Sequence, residues 1–453
     1  MTFRDVEPGA VVPFTTDNCI KCNVCNTVCP VARVTDLFPG PKYVGPQAQR
    51  FRWDGPPDHS VDLCSGCGIC TRACPANVLI AETNNRARAA IVEEHGSSLR
   101  NRIISDTDLL ARFGVPLAPL VNFGLRNRFL RWIGEKTLGV HRRGPLRPYA
   151  RRSFGSWWRR RGGTRIVDAP PERTVVYFHG CAVNGFEPDV GRAAVEVLER
   201  NGLSVIVPEQ ECCGLPFISN GMYDHARQKA RRNIRSLADY ARRGYRIVGT
   251  STSCTHALKA EYREMLDLDD ADARAVADGT WDICELLSEM HDRGALDTAF
   301  GPMPGPLPYH PPCQLKSHGI GTPAMDLFAL IPGMIAIDSD HDCCGAAGTY
   351  GLKAERWQIA HDVGAPLFEK FRRSGATQAA CDSETCRWQI EDSSGVRTRH
   401  PVEILADAYR AGTSLDSLDA HASPTSSDSP ASLASLASPD ASVAGQSTNE
   451  PLI

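Results

Sequence analysis

The placement of the cysteines constrains this chain more than any other feature. Cys19, Cys22, Cys25 and Cys29, followed by Pro30, read C-x2-C-x2-C-x3-C-P, and Cys64, Cys67, Cys70 and Cys74, followed by Pro75, repeat that spacing without change. Three thiolates separated by two residues each wrap three corners of a cubane, and the more distant fourth, held by the proline, reaches the other cubane. The spacing therefore predicts one [4Fe-4S] cluster on Cys19, Cys22, Cys25 and Cys74 and a second on Cys64, Cys67, Cys70 and Cys29. Zinc is the competing reading, but zinc sites usually present pairs of cysteines rather than a triplet plus one.

Ten further cysteines lie between Cys181 and Cys386, and eight of them form an internal repeat. Cys181 and Cys313 are 132 residues apart, the pairs Cys212-Cys213 and Cys343-Cys344 are 131 apart, and Cys254 and Cys386 are again 132 apart. Each half is thus one module. A glycine follows each adjacent pair, Gly214 and Gly345, and lets the backbone turn tightly enough for both sulfurs to face one metal. Four thiolates suit zinc or an iron–sulfur cluster equally, so Cys181, Cys212, Cys213 and Cys254, and Cys313, Cys343, Cys344 and Cys386, are candidate ligands of either. Cys381 is an additional candidate. Cys284 falls inside a helical pattern and reads as a buried free thiol. Gly319-x-Gly321-x-x-Ala324 looks like a dinucleotide fingerprint but follows a cysteine loop rather than a strand, and is discounted.

In the first half the apolar runs Val175–Phe178, Ser204–Val207 and Arg246–Gly249 read as strands, each ending near a cysteine motif, with helical patterns over Val190–Arg200 and His225–Arg242. In the second half Met334–Ile337 and Thr377–Ala380 read as strands and Ala354–Arg373 as a helix. Alternating strand and helix imply a small α/β layer structure for each half. The expected fold class is α+β multidomain: a mainly helical dicluster ferredoxin domain (1–98), a basic amphipathic connecting segment (99–163), a first module (164–266), a linker (267–306), a second module (307–412), and an acidic, disordered Ser/Ala/Pro tail (413–453).

The chain has 453 residues, 42% of them hydrophobic, enough for two or three domains with real cores. Its 18 cysteines are too sparse for a secreted disulfide scaffold and point to metal in a reducing compartment. The first residues carry no stretch of signal-peptide character, and no apolar run is long enough to span a bilayer. The formal net charge of −3 excludes a wholly basic nucleic-acid binder. It hides a polarity: residues 99–161 hold fifteen Lys and Arg against Asp106, Asp108 and Glu135, a local +12, which leaves −15 on the remainder. Within that segment Leu109, Leu110, Phe113, Leu117, Leu120, Phe123, Leu125, Phe129, Leu130, Trp132 and Ile133, with Trp157-Trp158, interleave with arginines. This is the composition of a segment lying on an anionic membrane surface. Docking onto the acidic remainder or onto partner subunits is the rival, and nucleic acid a remote third.

The strings Asn18-Cys-Ile-Lys-Cys-Asn-Val-Cys25, Pro39-Gly-Pro-Lys42, Ser98-Leu-Arg-Asn101, His141-Arg-Arg143, Phe178-His-Gly-Cys181, Cys344-Gly-Ala-Ala-Gly-Thr-Tyr-Gly351 and Ser383-Glu-Thr-Cys-Arg-Trp-Gln-Ile-Glu391 closely resemble the C subunits of anaerobic glycerol-3-phosphate dehydrogenase. The resemblance spans residues 14 to 412. More broadly, the Cys-Cys-Gly modules are similar to those of heterodisulfide reductase, glycolate oxidase and lactate-utilisation iron–sulfur subunits. The resemblance implies an electron-transfer subunit that takes electrons from flavin-containing A- and B-type dehydrogenase subunits and passes them to membrane quinone. It would sit peripherally on the cytoplasmic face of the cell membrane and would not oxidise substrate alone. The alternatives are a subunit of a related glycolate or lactate oxidase, or a thiol-disulfide reductase. In the family pattern each module ends Cys-x-x-Cys, and here the first position is Ser251 in one half and Ser383 in the other. A fifth thiolate is therefore missing twice. Cys381 could replace it in the second module; His179 and His310 could also serve, or could be hydrogen-bonding loop residues.

Overall fold

The computed structural model describes residues 18–48, 59–163 and 170–421. The ferredoxin-type segment is built from loops and short helical turns, Val24–Thr27 and Ile69–Arg72, crossed by the longer helix Ile80–His95. Its two cysteine motifs share a backbone path. Lys21 and Gly66 precede the second cysteine at φ 59° and 67°, and Asn23 and Gly68 follow it at φ 73° and 76°. Left-handed residues on both sides of that cysteine curl the chain around a centre, and glycine and asparagine tolerate the conformation best.

Residues 99–160 form five helices. Ser98, Asp106, Asn127 and Ser153 cap four of them by accepting from backbone amides, which is why short arginine-rich segments still start as helices. Helix Arg128–Leu138 has no buried residue. Among the described residues, twelve of the eighteen exposed large apolar side chains, including Phe113, Leu120, Phe123, Phe129 and Trp132, lie between Leu99 and Leu138. Trp157 and Trp158 do not belong to that face. Trp158 is buried, Phe154 fully so, and both tryptophans pack on Phe154 within the module core; the expectation that they extend the exposed surface is corrected. Not every arginine faces outward either. Arg100 donates to Glu355 at 2.6 and 2.7 Å, and Arg147 to Glu391 at 3.3 Å, so part of the positive charge docks on the acidic remainder.

Each module is a four-stranded, wholly parallel sheet with helices packed around it. In the first, β1 (Thr174–Phe178), β2 (Ser204–Ile206), β3 (Arg246–Gly249) and β4 (Thr280–Asp282) stand in the order β2-β1-β3-β4. In the second, β5 (Gly305–Tyr309), β6 (Met334–Asp338), β7 (Gln378–Ala380) and β8 (Arg397–Arg399) stand in the order β6-β5-β7-β8. β1 is buried at every position, and its run of β-branched and aromatic side chains without alternation is what a strand covered on both faces requires. In such an order the chain reverses direction of travel between the first and third strands, and the crevice beyond their carboxyl ends is the natural binding place. Every cysteine motif of the repeat leaves the carboxyl end of a strand.

The segment 267–306, expected to link the modules, is largely part of the first. It carries helix Ala271–Gly279, strand β4 and helix Ile283–Asp292, and the connection proper begins after Asp292. A three-residue strand is too short to show periodicity; the capping box of Asp282 and Glu285 was the local sign of the following helix. Cys284 lies buried in that helix, as expected. At the other end, helix Pro401–His421 runs past residue 413, where the tail was expected to start; residues 422–453 lie outside the described residues.

The modules meet reciprocally. Helix Pro188–Arg200 of the first packs on helix Pro401–His421 of the second, while helix Pro323–Ala329 of the second packs on helix Ile283–Asp292 of the first. One apolar cluster contains Val175, Tyr177 and Leu287 together with Leu307, Phe328 and Leu405. The arrangement has the form of an approximate two-fold dimer joined into one chain.

Candidate metal centres

In the ferredoxin-type segment the structure crosses the two motifs. Cys25 packs with Cys19 and Cys74, whereas Cys29 lies against Cys64 and near Cys67; Cys70 lies between the two groups, packed with Cys25 and near Cys29, Cys64 and Cys67. Cys22 is exposed. Backbone amides point at these sulfurs: Val78 N donates to Cys74 Sγ at 3.3 Å and Ala32 N to Cys29 Sγ at 3.5 Å, and the Asn84 side chain donates to Cys64 Sγ at 3.7 Å. Burial pushes the Cys29 thiol up to about 11. Burial alone would hold these thiols protonated, while the N–H donors around them stabilise the thiolate, which is the form that binds metal.

In the first module the sulfurs form a chain of contacts, Cys181 to Cys212, Cys212 to Cys213 and Cys213 to Cys254. Hydrogen bonds from Cys181 and then Cys213 hold Cys212 well below the usual thiol range, and the same contacts push Cys181 and Cys213 well above it. The Cys212 amide donates to Asp108 Oδ2 at 2.9 Å, and Lys229 Nζ donates to the same oxygen at 2.8 Å. Gly214 sits at φ +89°, where an added Cβ would meet helix Tyr223–Arg242 at ordinary contact distance, and Gly345 at φ +82°, where an added Cβ would run into the Ala360 backbone. The glycine after each Cys-Cys pair is thus fixed by conformation, and Gly345 by space as well. Ser251, at the position of the missing thiolate, caps helix Thr252–His256 by accepting from Cys254 N. His179 is neutral, held near 4 by burial, with Nδ1 against the Gly180 carbonyl at 2.8 Å and its ring near Phe154. It plays a structural part rather than facing the sulfurs.

The second module is different. Cys344 and Cys386 sulfurs are 3.0 Å apart, and Cys381 contacts Cys386. Cys313 pairs with Cys343. His310 brings a ring nitrogen to Cys344 and Cys386, the three donor atoms lying within 4.8 Å of one another. Ser383 begins helix Glu384–Ser394 without capping it through its side chain. Arg387, buried within this loop, donates to the carbonyls of Cys381 and Asp382 at 3.1 Å each and to Glu187 of the first module at 2.5 Å.

The three regions converge. Cys67 lies beside Cys313 and Cys343, so the second ferredoxin-type set abuts the second module. A cavity of about 100 Å³ is lined by Cys67 and by cysteines of both modules. Arg88 locks the junction, donating to the Cys64 carbonyl, to the Val61 carbonyl at 2.9 Å and to the Ser219 carbonyl at 3.0 Å. Lys353, also buried, donates to Asn220 Oδ1 at 2.7 Å, and Asn220 in turn donates to Ser105 and Thr349 hydroxyls at 3.1 and 2.8 Å. Cys181 also lines an outer cleft of about 530 Å³ with Asp108, Leu109, Val115 and Lys229. Sequence reasoning missed Asp108, Arg88, Arg387 and Lys353; the sole signal was that Asp106 and Asp108 are isolated acids in an otherwise basic segment.

The donor sets fit metal: sixteen of the eighteen cysteines belong to the two motif pairs, and the buried imidazole of His310 lies beside the thiols of Cys344 and Cys386. Fold and site together define an iron–sulfur protein with a ferredoxin-type segment and two cysteine-rich α/β modules. Residues 15–78 match the 4Fe-4S dicluster domain family, and residues 175–259 and 307–391 each match the cysteine-rich domain family. The C subunit of anaerobic glycerol-3-phosphate dehydrogenase from Escherichia coli (strain K12) is 37% identical over 400 residues, covering 86% of this chain and 98% of the relative. The B subunit of fumarate reductase (CoM/CoB) from Methanothermobacter marburgensis is 25% identical over 415 residues, 86% of this chain and 72% of its own. Lactate utilization protein A of Anoxybacillus flavithermus is 31% identical over 191 residues, 40% of this chain and 75% of its own. The chain belongs to the family of anaerobic glycerol-3-phosphate dehydrogenase C subunits, the iron–sulfur components of an oxidoreductase complex.

Proposed function

We propose that this chain is the electron-transfer subunit of a membrane-associated glycerol-3-phosphate dehydrogenase, carrying electrons from flavin-containing partner subunits to membrane quinone. On this reading Cys19, Cys22, Cys25 and Cys74 hold one [4Fe-4S] cluster, Cys64, Cys67, Cys70 and Cys29 the other, and the cysteines of the two modules hold further iron–sulfur centres. Such clusters, when bound, supply reversible electron acceptance at potentials set by their surroundings.

The observation that carries the proposal is the spatial order of the thiol sets. Cys25, Cys74 and Cys70 come first, then Cys29 and Cys64, then Cys67 with Cys313 and Cys343 beside it. Both modules then share the cysteine-lined cavity, and Cys181 of the first opens to the cleft under Leu109 and Val115. Those residues belong to the segment whose outer side exposes Phe113, Leu120, Phe123 and Phe129. An apolar, arginine-flanked face beside the last thiol set supports exit at an anionic membrane surface on the cytoplasmic side. Among the described residues no helix is long and apolar enough to cross a membrane, so attachment would be peripheral.

The test is reconstitution with the A- and B-type flavin subunits and vesicles containing quinone. Glycerol 3-phosphate should reduce the quinone only when this chain is present, while lactate and glycolate should not. Turnover with lactate or glycolate instead would assign the chain to a related oxidase; full quinone reduction without it would overturn the proposal.

A further inference from the structure

We propose that His310 is a metal ligand, so that the second module holds a mixed sulfur and nitrogen centre while the first is bound by sulfur alone. The inference rests on the reading that the modules hold metal and extends it to the ligand set.

Backbone register puts His310 in place. It follows β5 directly, and its amide donates to the Ala380 carbonyl at 2.9 Å, so its ring stands beside the end of β7 from which Cys381 departs. The side chain is fully buried. Nδ1 lies 3.0 Å from Ser339 Oγ, and the Ser339 amide donates to the Tyr309 carbonyl at 2.7 Å, which fixes the hydroxyl on the next strand end. Nε2 is buried and interacts with the Cys386 thiol, and the ring reaches to within 4.8 Å of both Cys344 and Cys386 sulfurs. An imidazole that occupies one nitrogen with a hydroxyl and turns the other to two thiols has the arrangement of a metal-bound histidine. The outer hydrogen bond sets the tautomer and leaves the inner lone pair free. With Cys381 also against Cys386, the convergent set is Cys344, Cys381, Cys386 and His310. The first module offers no counterpart: the residue 132 positions earlier is Phe178, and His179 turns its Nδ1 to a backbone carbonyl.

The full chain, isolated anaerobically with its metal, is grown with natural or 15N-labelled histidine and compared with His310→Cys, Ser339→Ala and His179→Ala. Metal analysis comes first. Iron and sulfide beyond the complement of two cubanes place iron in the modules, and pulsed EPR of the poised protein should then show a nitrogen coupling that changes with the 15N label. That coupling should vanish in His310→Cys with metal retained, shift in Ser339→Ala, and persist in His179→Ala. A wild-type spectrum without histidine nitrogen, or a coupling that survives His310→Cys, overturns the assignment. Zinc in the module would defeat its electron-transfer role but not the ligand set, which zinc-edge scattering then reads directly. One nitrogen among sulfurs that becomes all sulfur in His310→Cys supports the proposal, and an all-sulfur wild-type shell overturns it. A chain with no metal beyond the two cubanes overturns both readings. The unchanged EPR of the ferredoxin-type clusters in each variant certifies that it is folded.

Discussion

Replacing Arg387 by methionine should loosen the loop that carries Cys381 and Cys386 without removing either thiol. The guanidinium is buried and satisfies three acceptors, the carbonyls of Cys381 and Asp382 and the carboxylate of Glu187. Methionine fills most of the volume but leaves Glu187 with only the Trp388 indole, donating at 2.7 Å, and leaves two buried carbonyls without this donor. Breaking a buried ion pair from one side costs about 3–5 kcal/mol. At about 1.4 kcal/mol per tenfold change, local opening should become roughly 140- to 3,700-fold more frequent. Anaerobic hydrogen exchange read by mass spectrometry on peptides spanning residues 378–390 measures this, because the Cys381 amide is bonded to the Arg399 carbonyl and the Arg387 amide to the Ser383 carbonyl. Glu187→Gln should cost less, and the double variant less than the sum, because no charge is then left alone. Exchange of those amides within threefold of the parent in Arg387→Met, or strict additivity in the double variant, would refute the reasoning.

Gly345→Ala should abolish metal loading of the second module, since the new Cβ would run into the Ala360 carbonyl oxygen, whereas Gly214→Ala meets Ala226 backbone at 3.4 Å and should cost only the left-handed strain of about 1–2 kcal/mol; metal content per chain separates them. Burial, and then Arg356, hold Lys353 down to about 7, so between that pH and its unfolded value near 10.5 the folded chain binds fewer protons than the unfolded one. Stability from this group therefore rises with pH across that window and is lowest below pH 7, by an amount on the order of 5 kcal/mol; in Lys353→Met, melting at pH 6 should rise toward its value at pH 9, and an unchanged pH profile would sink the idea. Cys284→Ala should cost about 1 kcal/mol in chemical denaturation and leave metal content unchanged, as a buried thiol that is only packing requires. Phe123→Glu and Phe129→Glu should each weaken binding to anionic vesicles about tenfold or more in a flotation assay, because each removes apolar burial of about 1.5–3 kcal/mol; equal binding would move the apolar face to a protein partner.

Strands β1, β2, β3, β6 and β7 were legible because each carries apolar residues of its own, whereas β5 (Gly305–Tyr309), interrupted by two prolines, and β8 (Arg397–Arg399), an arginine pair about a threonine, offered no such run and were not read. Val175–Phe178 and Arg246–Gly249 could be read directly, and Met334–Ile337 as well, although that edge strand leaves Ile335 and Ile337 exposed. The 132-residue repeat revealed the modules, since two copies of one fold need the same cysteines at the same strand ends. Strand β4 was lost inside an apparent linker, because Thr280–Asp282 is only three residues long and has no pattern of its own. Trp157 and Trp158 were misplaced for a different reason. Composition reports that an aromatic sits among arginines, but not which side of a two-turn helix faces the core, and Phe154 decides that. Contacts such as Cys67 to Cys313 and Asp108 to Cys212 join residues far apart in the chain and leave no local trace. The orientation of His310 was likewise invisible, since its partners Ser339 and Cys386 come from two other strand ends.

The reciprocal packing of the modules bears on how such a protein can change. In a dimer of identical chains, every substitution at one site appears at its mirror image, so the two sites cannot part company. Here the helices Pro188–Arg200 and Pro401–His421 meet as two separate chains would, yet they are encoded separately within one. An imidazole can therefore arise beside one set of thiols while phenylalanine holds the matching place beside the other, and a single chain can keep two neighbouring centres at unlike chemistry.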